Sequence, residues 1–176
     1  MPFQNKKVTV TLADADSGLA SGEVLFGMTE LVLPARHSLL KSGYVVLESE
    51  DLSTLDSFGV HFFKKNTTEL GTQYGSTSIS HDNFQLNEYL GSVQINGGDS
   101  SNADAIGNLD ILQLTQYGDV IVPSPGGGAG GNLNIVLSSA EPDGKVFFSA
   151  VVNSVASTGP VISAGDKIDF HFGFEY

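Results

Sequence analysis

The 176-residue chain contains no cysteine and no tryptophan, and only two methionines. Without cysteine, disulfides and thiolate metal sites are excluded, so no covalent staple holds the fold. Basic residues are scarce: 8 Lys and Arg stand against 20 Asp and Glu, for a net charge of −12. Phosphate contacts need cations, so nucleic acid is not an expected partner. The acidity reads first as solubility and mutual repulsion between copies, and second as a means of docking onto a basic surface. No apolar run approaches the ~18 residues a membrane-spanning helix needs. The opening MPFQNKKVTV has no apolar segment of the kind a secretion signal carries, so neither secretion nor a membrane partner is expected.

What the chain does have is period-two alternation. Between 166 and 176, Ile168, Phe170, Phe172, Phe174 and Tyr176 fall on one side, and Lys167, Asp169, His171, Gly173 and Glu175 on the other. That is a strand with one buried and one wet face. Burying a large apolar side chain stabilises by about 1.5–3 kcal/mol, so these five need a facing apolar layer. Residues 6–12 alternate in the same way, with Val8, Val10 and Leu12 inward. Short strands are expected at 23–27, 43–49, 55–64, 91–95, 109–116 and 119–122. Leu133, Ile135 and Leu137 mark another. Residues 145–155 are apolar on both faces, which predicts a central strand covered on both sides.

Residues 28–42 read as a connection broken by Pro34, and 65–78, 96–108 and 123–131 as loops. Glu141, Pro142, Asp143 and Gly144 form a β-turn sequence. One short helix is expected over 82–90, with Ser80 as N-cap and Gly91 at its C-terminal end. Together these predict an all-β fold: an antiparallel two-sheet sandwich or jelly roll of eight to ten strands with one short helix. The expected organisation is an N-terminal arm at 1–5 and a single domain at 6–176.

Chemistry-bearing patterns are thin. Asp14, Asp16 and Gly18 suggest a calcium loop, but Leu19 and Leu25 stand where its glycine and final acid belong. His61 and His171 would approach each other only if their strands pair, and with His37 and His81 they lack short metal-ligand spacing. The glycine run at 126–131 is not followed by the Lys and Ser/Thr of a phosphate loop. Asn66, Thr67 and Thr68 match a glycosylation acceptor that goes unused without secretion. No catalytic, cofactor-binding or metal residues are assigned, and no enzyme is expected.

Two stretches carry a resemblance. One is SGEVLFGMTELVLPAR at 21–36, followed by SLLKSGYVVLESED at 38–51 and LDSFGVHFF at 55–63. The other runs from 132 to 176. In order, Ser21-Gly22-Glu23-Val24, Thr29-Glu30-Leu31, Arg36, Leu39-Leu40, Leu55-Asp56, Phe62-Phe63, residues 146–151 and residues 166–174 resemble a family of small virion structural proteins of tailed bacteriophages. The resemblance covers about two thirds of the chain and departs from it at the loops 96–108 and 123–131. It implies a jelly-roll-like capsid decoration or cement protein on the phage head, made in the host cytoplasm. Its partners would be the major capsid protein and itself, as a homotrimer. The alternative is a carbohydrate- or receptor-binding module of a fibre or baseplate, using Tyr74, Tyr89 or Tyr117 as sugar-stacking rings.

Overall fold

A computed structural model describes residues 1–14, 18–47, 57–96, 103–106, 109–116, 133–154 and 162–176. Among them are ten strands: β1 (Phe3–Thr11), β2 (Val24–Val32), β3 (His37–Leu47), β4 (Ser57–Phe63), β5 (Tyr89–Asn96), β6 (Ala103–Ile106), β7 (Leu109–Gln116), β8 (Ile135–Ser138), β9 (Lys145–Ser154) and β10 (Lys167–Glu175). One helix, α1 (His81–Leu86), precedes β5.

Every strand pairing is antiparallel, and the pairings are nested. β1 pairs with β10, β2 with β9 and β3 with β8, while β4 closes the series on β5. A long hairpin ribbon folded at its middle and then rolled produces this order, which is jelly-roll connectivity. Rolling deals alternate pairs into opposite sheets. The first sheet runs β1-β10-β3, with β8 and β7 along the far side of β3; the second runs β2-β9-β4-β5. β7 joins the two, pairing with β3 over 110–113 and with β5 over 114–116. The β6–β7 hairpin is an insertion in the otherwise nested ribbon.

The inner faces meet in one apolar cluster. Ile168, Phe170, Phe172 and Phe174 of β10 face Val146, Phe148, Ala150 and Val152 of β9, all buried. Rings lock across the gap in edge-to-face contacts: Phe148 to Phe170 at 5.2 Å, Phe148 to Phe172 at 5.5 Å and Phe26 to Phe170 at 5.5 Å. That geometry sets the positive edge of one ring against the negative face of the next.

Several expectations need correction. Residues 28–42 are not one connection. β2 runs on to Val32 and β3 starts at His37, so Pro34 interrupts only a four-residue turn. The expected arm at 1–5 narrows to Met1 and Pro2, because β1 pairs from Phe3 opposite Glu175. Tyr176 lies past the end of β10 and is 40% exposed, so it does not continue the buried face. β6 occupies part of the expected loop at 96–108. The helix ends at Leu86 rather than 90, and Gly91 lies within β5. Ser80 is the N-cap as expected, accepting from the Asn83 N–H at 3.2 Å. The expected strand at 119–122 and the glycine run at 126–131 lie outside the described residues.

The turn at 141–144 forms as its sequence suggests, with Gly144 N–H donating to Glu141 O. Gly144 sits at φ +77°, and a Cβ there would come within 3.0 Å of the Leu33 carbonyl oxygen. Gly144→Ala should therefore cost about 1–3 kcal/mol, read as a lower urea midpoint with an unchanged slope.

Candidate functional site

The two outer faces are unlike. The second sheet is covered by its own chain. Segment 64–80 and α1 lie over it, closing a second apolar cluster of Val24, Phe63 and Leu70, with Met28, Ile79, Phe84 and Val151 packed alongside. Phe84 of α1 meets Phe63 edge-on at 5.4 Å, and Tyr89 sits 5.1 Å from Phe84.

One buried side chain ties this cover down. Asn87, fully buried, is the C-cap of α1. Its Oδ1 accepts from the Thr67 N–H at 2.9 Å, the Thr68 N–H at 3.2 Å and the Thr67 hydroxyl, and its Nδ2 donates to Thr68 O at 2.6 Å. The next residue, Glu88, takes φ +55° and turns the chain into β5. Lys64 and Lys65 bind its carboxylate and hold its pKa at about 2.

Beside this cover, Gly59 makes room for His61. A Cβ at 59 would lie 3.1 Å from His61 Nε2 and 3.6 Å from Asn153 Nδ2. Burial pushes the His61 pKa below its ordinary value.

The first sheet carries no such cover among the described residues. Its outer face is read in rows across β1, β10 and β3. Asn5, Gly173 and Ser42 form one row; Lys7, His171 and Tyr44 the next; Thr9, Asp169 and Val46 the third. Tyr44 stacks flat on His171, centroids 4.4 Å apart with 8° between planes. Lys7 bridges to Asp169, which also accepts from the Thr9 hydroxyl. Burial pushes the Asp169 carboxyl up, but the hydrogen bonds from Lys7 and Thr9 outweigh it and leave the pKa below the ordinary value. Burial lowers the His171 pKa, and the Lys7 charge adds to that against a smaller opposing pull from Asp169. Gly173 is bare so that the Phe3 ring and the Ser42 hydroxyl can close over it. Phe3 and Tyr44 remain 55% and 41% exposed, so this face presents two aromatic rings around a paired charge.

Both lowered histidines act on stability with one sign. The unfolded chain takes up protons first as pH falls through about 6.5. Stability is thus full above that value and declines as pH falls toward the folded pKa values. Asp169 and Glu88, also held below their ordinary values, extend the loss at more acid pH. The urea midpoint should be lower at about pH 5.5 than at about pH 7.5, and His61→Gln should shrink the difference.

The structure keeps the sequence-flagged residues apart. His61 lies in β4, which pairs with β5 and β9; His171 lies in β10, which pairs with β1 and β3. His37 contacts Ser138, and His81 lies beside Asp82 and Gln85 on α1. Among the described residues, no three His, Asp or Glu side chains gather to hold a metal. The Asp14 carbonyl accepts from the Tyr74 hydroxyl, and Asp16 lies outside the described residues. Of the three tyrosines expected to offer rings to a sugar, Tyr74 packs against the core, Tyr89 stays 41% exposed, and Tyr117 lies outside the described residues. Asn87 and the Tyr44–His171 stack carried no sequence signal, because each acts through partners set by strand register.

No protein-family model matches the chain, and no curated protein matches it. Among solved structures, a chain of desmodium yellow mottle tymovirus is similar over 98% of this chain and 85% of its own length, at 12% identity and a TM-score of 0.27.

Proposed function

We propose that the chain is a structural virion protein that binds the major capsid protein of a tailed phage and decorates or cements its head shell. The observation that carries this reading is where the familiar motifs fall. Val24, Leu31, Leu40, Phe62, Phe63, Val146 and Ile168 are all buried, and all lie on strands of the nested ribbon. The apolar positions of the succession that resembles small phage virion proteins thus belong to the frame of the roll, while Ser21, Glu30 and Arg36 stay exposed and Leu55 and Asp56 lie outside the described residues.

The interior supports the same reading. Jelly rolls serve as shell proteins, sugar binders and cupins, and the last of these work inside the roll. Here the facing side chains of β9 and β10 between the sheets are apolar. An apolar interior suits a rigid block that acts through its surface. Binding only to the assembled shell stabilises that shell by mass action, and many copies act together through multivalency. A ring of three copies would repeat one heterologous interface around a symmetry axis.

Quantitative mass spectrometry of purified particles tests this. The expected result is a copy number that scales with the major capsid protein, with particles lacking the chain breaking at lower temperature. Absence from particles, or one or two copies in each, overturns it.

A further inference from the structure

β1 and β2 stand at the two ends of the strand order, so among the described residues each has a side that no neighbouring strand takes up. The fold treats the two edges differently. β2 breaks register with β9 twice. Its start is also overlaid by a loop: Val24 N–H donates to Gly75 O, and Tyr74 N–H donates to Val24 O. Bulges and cover are the usual means of blunting an edge against unwanted pairing. β1 has neither among the described residues. Its nine residues pair with β10 without a register shift, and it contains no proline.

The direction of its backbone groups follows from its two ends. Leu12 N–H donates to Asp166 O, and Tyr176 N–H donates to Pro2 O. In an antiparallel pair, hydrogen-bonded positions alternate along the strand. Even-numbered residues between these points therefore face β10. The N–H and C=O groups of Phe3, Asn5, Thr9 and Thr11 point the other way.

We propose that this edge of β1 takes up an extended segment of a partner chain that carries an acidic residue opposite Lys6, the lysine on the face away from the Lys7–Asp169 bridge. Main-chain hydrogen bonds supply the affinity in such strand addition, and side chains supply the choice of partner. β1 carries two lysines and no acid in a chain of net charge −12. Asp169 answers one of those lysines, which leaves the strand with an excess of one positive charge. A second copy of β1 is a poor occupant. The antiparallel self-pairing that uses all nine residues sets Lys7 against Lys7, and like charges directly opposite are destabilising. The proposal goes beyond the virion reading and does not depend on it.

The probe is a dye-labelled nine-residue Thr/Ser/Val peptide with one central Glu, compared with the same peptide carrying Lys. Both are titrated into the intact protein, with amide exchange followed residue by residue. The Glu peptide is expected to bind about fivefold more tightly than the Lys peptide, the ratio for roughly 1 kcal/mol of cross-strand charge preference. It should slow exchange at Asn5, Thr9 and Thr11. Thr9→Pro removes an outward N–H without touching the β10 ladder and should abolish binding. Lys6→Glu, a change that leaves the backbone alone, should reverse the preference between the two peptides. Equal binding of both peptides, no binding of either, unchanged preference in Lys6→Glu, or amides of Asn5, Thr9 and Thr11 that are already protected in the free protein would each overturn it.

Discussion

Phe148→Ala should lower the unfolding free energy by about 3–5 kcal/mol. The residue is fully buried on β9, in the middle of the second sheet. Its ring lies 5.6 Å from Phe26, 6.2 Å from Phe62, 5.2 Å from Phe170 and 5.5 Å from Phe172. Two of those partners belong to its own sheet and two to the sheet opposite, so one truncation loosens contacts on both sides of the gap. The neighbours are themselves aromatic and held on paired strands, so they collapse poorly into the space left behind. The cost therefore combines lost transfer energy with a cavity. Phe147→Ala is the control. It removes the same atoms one position away, on the outer face, where the ring is only half-buried, and should cost about 1 kcal/mol. Urea unfolding of both variants gives the comparison. Equal losses would mean that β9 is not the hinge between the layers.

The same strands show what is legible in the sequence alone. β10 and β9 declared themselves because their inner faces repeat apolar residues at period two over long stretches. The alternation marks only part of β2 and of β3. β2 ends the strand order and carries partly buried Gly27, Met28 and Thr29 and exposed Glu30 between its buried residues, so its alternation fades. In β3 the register against β10 shifts between Gly173 and Phe174 and leaves Lys41 opposite no residue, so the buried positions step from Ser38 and Leu40 to Val45 and Leu47 and the period of two slips by one. A pattern search takes that for the end of a strand. The C-terminal end of α1 misled for another reason. Gly91 suited a helix end, yet Glu88 took the left-handed position, with Lys64 and Lys65 on its carboxylate. The burial of Asp169 was hidden because the lysine that compensates it stands 162 residues earlier in the chain. What is legible in the residues is the period of each strand. What is not legible is which polar group each register will set beside another.

Asn87→Ala should be nearly as costly as the loss of a core ring, though the residue sits in a polar stretch that reads as plain surface. Its amide satisfies the backbone N–H groups of Thr67 and Thr68 and the carbonyl of Thr68. Each buried backbone group left without a partner costs about 1–3 kcal/mol, and solvent reaching the gap offsets part of it, so a total of roughly 3 kcal/mol is expected. Asn87→Asp makes the sharper test. It keeps the acceptor that serves both N–H groups but replaces the donor to Thr68 O with an oxygen, which sets a charge 2.6 Å from a carbonyl. It should therefore recover only part of the loss. The two variants should also unfold differently from Phe148→Ala. The amide anchors segment 64–80 against the end of α1, over the outer face of the second sheet, while the rings of the main cluster lie on the inner side. Amide exchange should thus quicken first in 64–88, with β10 and β9 still protected, and the urea slope should fall as the cover opens ahead of the roll. If Asn87→Ala instead melts the whole chain in one step with an unchanged slope, the cover and the roll are a single cooperative unit, and the outer cluster belongs to the core.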